Sequence, residues 1–279
     1  MGNILISWPN RIDTATLSGG SWSLPLTNLQ NRDQWLVARS NGLSTSNTKF
    51  DIDFGVIRNV RVIALANHNL SQTATWRMSL GTTAGGADIF TSNWQSVWMI
   101  TFDSDLMEWE DVSVWEGVVD QDYLNHPYLA VFVLPDWYNT RYMTIEIADA
   151  SNTNGYVDIG RAFVGGGFTP RYNPEYGLQD SWEDKTEIVE MASGATHAVV
   201  KKRYRKVQFV LPWLSQTEAA IVHEIQRRQG VYGEILYIPD LSDQQLNQRY
   251  GMLGRLTEMS AIEYPFYNNR QSGFTIKEL

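Results

Sequence analysis

With 279 residues, 43% hydrophobic and 19% charged, the chain has the composition of a folded protein and excludes a low-complexity or collagen-like one. It has no cysteine, which excludes disulfides, thiolate metal sites and cysteine nucleophiles. The net charge of −9 sits mostly in residues 1–167, where 9 Lys and Arg face 17 Asp and Glu, and that argues against nucleic-acid binding by this half.

The first residues, Met1 to Pro9, lack the basic and long apolar regions of a secretory signal, and no run of 18 apolar residues follows. The expectation is synthesis in a cytoplasm with no membrane anchor. Phe50, Ile52 and Phe54 alternate with Asp51 and Asp53, then Val60, Val62 and Ala64 alternate with Arg61 and Ile63, as on half-buried strands. Asn67, His68 and Asn69 supply a turn before Trp76 to Gly81. Residues 103–122 hold eight acidic and no basic side chains, yet Trp109, Trp115 and several valines interrupt them. Oxygen ligation of calcium and a loop docking on a neighbouring subunit both fit this stretch, although the EF-hand pattern is missing. Tyr128–Leu134 reads as an apolar strand and Tyr142–Ala148 as an alternating one. No helix long enough to cross between parallel strands intervenes, so residues 1–167 are expected to form a β-sandwich. Nine of the eleven tryptophans lie here, from Trp8 to Trp137, and they suit either sugar stacking or core and interface packing. Gly165, Gly166 and Gly167, followed by Pro170 and Pro174, predict the boundary with residues 168–279.

In the second half, Val199–Leu211 reads as a strand carrying Lys201, Lys202, Arg203, Arg205 and Lys206. Successive strand side chains diverge, so a complementary acidic surface on a neighbour fits this cluster better than phosphate. Ser215 and Glu218 have the spacing of a helix capping box, Gly230 marks the end, and Ile221, Val222 and Ile225 are the expected buried stripe. Strands are expected at Glu234–Ile238, Met252–Leu256 and Gly273–Leu279. The fold class is therefore mainly β: an N-terminal jelly-roll sandwich and a smaller C-terminal sandwich or barrel with one flanking helix.

Five segments taken together, Trp8–Asp13, Leu24–Leu29, Trp35–Ser40, Phe50–Leu70 and Asp158–Phe163, resemble the galactose-binding-like (discoidin-like) jelly roll of tailed-bacteriophage tail-tip and baseplate proteins. Gly251–Leu256 and the terminal Phe274–Leu279 are similar in pattern to the tube-like domain of distal tail proteins, although those proteins usually begin with their ring-forming domain. The resemblance implies a virion structural protein, assembled in the host cytoplasm, whose homo-oligomeric ring of six copies links the tail tube to baseplate hub or fibre proteins. A carbohydrate-binding tail module that contacts a host glycan is the alternative. No sugar motif of that family matches, so no ligand residue is carried over.

Catalysis is not expected. The Gly-x-Ser-x-Gly elbow, the phosphate-cradling loop and the His-Glu-x-x-His motif are all missing from the sequence. His68, His126, His197 and His223 have no metal-ligand spacing, and paired acids such as Asp103 with Asp105 lie on one acidic stretch rather than across a cleft. No catalytic, cofactor-binding or metal-ligating residue is assigned.

Overall fold

The computed structural model describes residues 2–98, 129–190 and 196–279. The acidic stretch 103–122, with Trp109 and Trp115, and also His126 and Tyr128 lie outside them. The described chain is mainly β and divides into two compact units that are not contiguous in sequence. The first comprises residues 1–2, 7–167 and 238–251, and the second residues 3–6, 168–237 and 252–279.

Strand β1 (Leu5–Ser7) pairs in the second unit's sheet. The first unit contains β2 (Thr16–Ser18), β3 (Trp22–Leu24), β4 (Ala38–Ser40), the four-residue helix α1 (Thr45–Thr48), β5 (Phe50–His68), β6 (Thr75–Gly81), β7 (Phe90–Thr91), β8 (Gln95–Ser96), β9 (Ala130–Ala148) and β10 (Asp158–Gly165). The two expected runs at 128–134 and 142–148 are thus one strand, β9. Pro135, Asp136 and Trp137 between them form a bulge rather than a chain reversal.

Strands β5 and β9 organise the unit. Val62–Leu65 pair with Val133–Ala130, whereas Phe50–Asp53 pair with Ile145–Tyr142, and the register shifts twice in between. The C-terminal half of β5 also pairs with β10, and the C-terminal half of β9 with β6. Each long strand therefore crosses from one layer to the other at its bulges, the way sandwich corners are made. Side chains from both layers meet in one core: Ile63, Leu65, Ala162 and Val164 from one, and Phe50, Ile52, Trp76, Met78, Met143 and Ile145 from the other. The alternation expected for residues 60–64 is hidden, because Val62 to Ala66 are all buried and both faces of β5 are covered there. Gly165 ends β10 opposite Val62, and of the glycine triplet only Gly167 has positive φ, at 141°.

The second unit contains β11 (Gln179–Glu183), β12 (Glu187–Glu190), β13 (Thr196–Val199), β14 (Tyr204–Leu214), α2 (Gln216–Gln229), β15 (Glu234–Ile238), α3 (Gln244–Tyr250), β16 (Met252–Leu256), β17 (Ile262–Phe266) and β18 (Asn269–Glu278), except that α3 belongs to the first unit and lies against β9. The sheet order is β1-β15-β16-β18-β14-β11, with β17 beside β18. Phe209 stacks on Phe274 at 5.4 Å and on Tyr237 at 5.5 Å, and Pro212, which cannot donate to a ladder, falls in a register shift of β14. Helix α2 is capped as expected: Ser215 Oγ accepts from the Glu218 amide, and the Glu218 carboxylate accepts from the Ser215 amide. Its buried residues are Ala219, Val222 and Ile225, while Ile221 is exposed, so the apolar stripe is shifted from the expected one.

The expected strand at 199–211 begins only at Tyr204, and its basic cluster is partly answered within the same unit. Arg205 meets Asp180 at 3.0 Å, Arg203 meets Asp184 at 3.0 Å, Lys201 pairs with Glu187, and Lys277 reaches Glu183 at 2.6 Å. Lys201, Arg203 and Arg205 are thus the three of the five cluster cations that pair with an acid among the described residues, and Lys277 lies outside the cluster.

In the first unit His68 is withdrawn from water. Its Nε2 is buried without a partner, Nδ1 accepts from the Leu70 amide at 3.4 Å, and the Trp98 indole packs edge-on at 5.5 Å. Burial pushes its pKa down from 6.5 to about 4, against the opposing charge of Asp149. The folded state then binds fewer protons than the unfolded state between those values, so stability present above pH 6.5 is lost as pH falls towards 4. The loss is on the order of 2–3 kcal/mol. Urea midpoints measured from pH 7 to 4.5 should fall for the wild type and stay flatter for His68→Gln. Equal slopes would show that His68 titrates normally.

Candidate functional site

The described tryptophans of the first unit separate into packed and displayed indoles. Trp76 and Trp98 are buried, the latter donating Nε1–H to the Leu70 carbonyl, and half-buried Trp22 packs edge-on against Phe50 at 6.0 Å. Three others are exposed: Trp35 by 74%, Trp94 by 42% and Trp137 by 39%. Two of these have a guanidinium against the ring. Arg77 sits over Trp94 at 4.9 Å while bonding Glu146, and Arg61 lies over Trp137 at 5.9 Å. Trp35 has no such cover, which leaves its faces open to a ligand.

The loop that presents Trp35 is fixed at several points. The Leu36 amide donates to the Asp33 carbonyl at 3.0 Å, the Asp33 amide to Asn31 Oδ1 at 3.0 Å, and Asn28 Nδ2 to the Val37 carbonyl at 2.8 Å. Next to the indole, the Gln34 carbonyl accepts from Asn67 Nδ2 at 2.6 Å. Asn67 is the described non-glycine residue with positive φ, 52°, a conformation its short polar side chain tolerates. Gly160 makes the approach possible, since a Cβ there would stand 2.0 Å from the Gln34 oxygen. An exposed indole on a fastened loop loses little entropy when it binds.

Two residues along β10 from Gly160 is Asp158, which takes both Nε and Nη2 of Arg39 at 2.8 Å. That guanidinium lies 4.0 Å from the Tyr156 ring centroid. Backbone and side-chain bonds fix this end too: the Asp158 amide donates to Asn69 Oδ1 at 2.7 Å, and Asn69 Nδ2 donates to the Tyr156 carbonyl at 3.1 Å. Buried Asp149 accepts from the Ser71 amide at 3.0 Å and from Asn152 Nδ2 at 2.9 Å, which ties the β5–β6 turn to the β9–β10 turn. The backbone next to the open indole and the bidentate Arg39–Asp158 pair are thus both anchored on β10. These groups can stack on an apolar ring face and exchange hydrogen bonds with hydroxyls.

Sequence reasoning assigned no site residue. It named Trp35 among nine tryptophans without distinguishing it, and the signal that marks it is the polar run around it, with Asn28, Asn31, Asp33 and Gln34 all engaged in fixing the loop. Among the described residues, no group of three His, Asp or Glu side chains is placed to hold a metal ion, and no helix is long and apolar enough to cross a membrane.

No family model matches the chain, and no curated protein matches it. Among solved structures it is similar to a family 89 glycoside hydrolase from Clostridium perfringens in complex with 2-acetamido-1,2-dideoxynojirmycin (14% identity, TM-score 0.36), over 60% of this chain and 16% of that one. It is similar to CBM32-1 from a family 31 glycoside hydrolase of the same organism (11% identity, TM-score 0.34), over 57% of this chain and 99% of that one. It is also similar to the lectin domain of lectinolysin complexed with Lewis B antigen (14% identity, TM-score 0.36), over 56% of this chain and 95% of that one. The chain thus spans under a fifth of the glycoside hydrolase and nearly all of the two smaller domains.

Proposed function

We propose that the first unit is a carbohydrate-binding module, and that the protein uses it for host-surface recognition as part of a phage tail. The observation that carries this reading is Trp35: an indole 74% exposed, with no cation on its ring, on a loop fastened at both sides of it. Burying such a ring against a sugar gains apolar contact at small entropic cost. The activity is binding and not catalysis. On a glycan array the full-length protein should give saccharide-specific signal that Trp35→Ala removes while the unfolding free energy from urea denaturation stays within about 0.5 kcal/mol of wild type. A silent array, or a signal that survives the substitution, contradicts the proposal.

A second reading concerns the other unit. The paired strands β12 and β13 are exposed at every residue and include Ile188 and Val189, while Trp182 and Trp213 are exposed by 59% and 58%. Apolar surface of that extent favours coverage by another protein surface. We read it as the assembly surface of a homo-oligomeric ring, six copies in the tail-tip setting, between the tail tube and hub or fibre proteins. Native mass spectrometry should show a closed ring whose stability drops in Ile188→Asp. A protein that stays monomeric at every concentration, with tail-tube partners present, contradicts it.

A further inference from the structure

Two cations of β5, Arg58 and Arg61, have no salt bridge among the described residues, and Arg61 lies opposite the bulge of β9. Arg39, Arg77, Arg141 and Arg161 reach Asp158, Glu146, Asp53 and Asp13, respectively. Arg61, on β5, forms no salt bridge with a carboxylate among the described residues. Its Nε and Nη1 are buried and have no hydrogen-bond partner, and burial lowers its pKa below the ordinary arginine value. Asp136, whose charge opposes that lowering, has Oδ1 accepting the Trp137 amide at 2.7 Å. The Trp137 ring is 5.9 Å from the guanidinium carbon, close to the outer limit for a useful cation–π contact. Holding two guanidinium nitrogens out of water without a hydrogen-bond acceptor is costly, and the indole and the charge of Asp136 offset only part of that cost.

The rim of this corner is chemically suited to a ligand. Asn59 and Asn139, both exposed, are joined by an amide–amide bond of 3.1 Å across the two long strands. Gly166 comes up beside them: a Cβ there would stand 3.3 Å from Asn59 Oδ1 and 3.4 Å from Trp137 Cζ3. An indole, two amides and an unanswered guanidinium are therefore gathered in one place. The indole suits the C–H face of a pyranose, the amides suit hydroxyls, and the guanidinium suits a carboxylate.

We propose that this corner binds an acidic saccharide whose carboxylate is the acceptor missing at Arg61, reached when the Trp137 side chain rotates off the guanidinium. The site lies apart from Trp35 and extends the carbohydrate reading to a second place and a second chemistry, so the two fail separately. The test is an NMR titration of the full chain, following the Arg61 Nε–H and Trp137 indole N–H signals with methyl glucuronide, methyl glucoside and acetate as probes. Glucuronide should shift both signals at concentrations where glucoside and acetate do not. Its affinity should fall about tenfold or more in Arg61→Gln, less in Arg61→Lys, and not at all in Trp35→Ala. Unmoved Arg61 and Trp137 signals, glucoside binding equally well, acetate acting alone as effectively, or binding that survives Arg61→Gln would each overturn the proposal. If Arg61→Gln does not fold, the wild-type titration decides, because it reads the guanidinium directly.

Discussion

Strands β5 and β9 each run for 19 residues, which at about 3.3 Å per residue is roughly 60 Å, far beyond the width of a small sandwich. They fit only because paired bulges near residues 54–57 and 134–137 let each strand leave one layer and enter the other. The consequence is that the two layers are continuous through the chain. The core holding Phe50, Trp76 and Ile145 is the same core that holds Leu65, Ala162 and Val164. Substituting at a bulge therefore acts on both layers at once.

The same geometry sets where chemistry can occur. Several cations on the first unit's sheets are matched by acids in the opposite strand, as with Arg77 and Glu146, and with Arg141 and Asp53 beside the bulge of β5. At the bulge the pairing register is lost, and Arg61 has no carboxylate across from it. At the other irregular point, Asn67 and Gly160 let a loop lie down on β10 and hold Trp35 outward. Both candidate binding features thus arise where the ladder departs from regular pairing. Sheet irregularities are commonly where side chains are re-aimed for function.

How legible this was in the sequence depended on the range of the interaction. The helix α2 was readable because its cap is local: Ser215 and Glu218 are three residues apart and bond each other. The alternation of Phe50, Ile52 and Phe54 was readable because it is a property of one strand. The fusion of two expected strands into β9 was not, since Pro135-Asp136-Trp137 has the composition of a turn and only pairing with β5 makes it a bulge. The neutralisation of Arg203 and Arg205 was hidden because Asp184 and Asp180 arrive from about 20 residues away through the β11–β14 pairing. Helix α3 was missed since Gln244–Tyr250 offers no apolar stripe, although Asp243 caps it by accepting from the Leu246 amide. Trp35 was marked in the sequence only by the polar run around it, because its distinction is exposure and a loop held by Asn67, which only the fold supplies.

The claim on which all of this depends is that β5 and β9 make the two layers of the first unit one cooperative body. Native-state hydrogen exchange tests it directly, by comparing the amides of Val62–Leu65 and Ala130–Val133 with those of Phe50–Asp53 and Tyr142–Ile145 across a denaturant series. The account predicts that the slowest amides of both sets converge on a single opening free energy and a single denaturant dependence. Two distinct values, with one layer opening while the other stays protected, would contradict it.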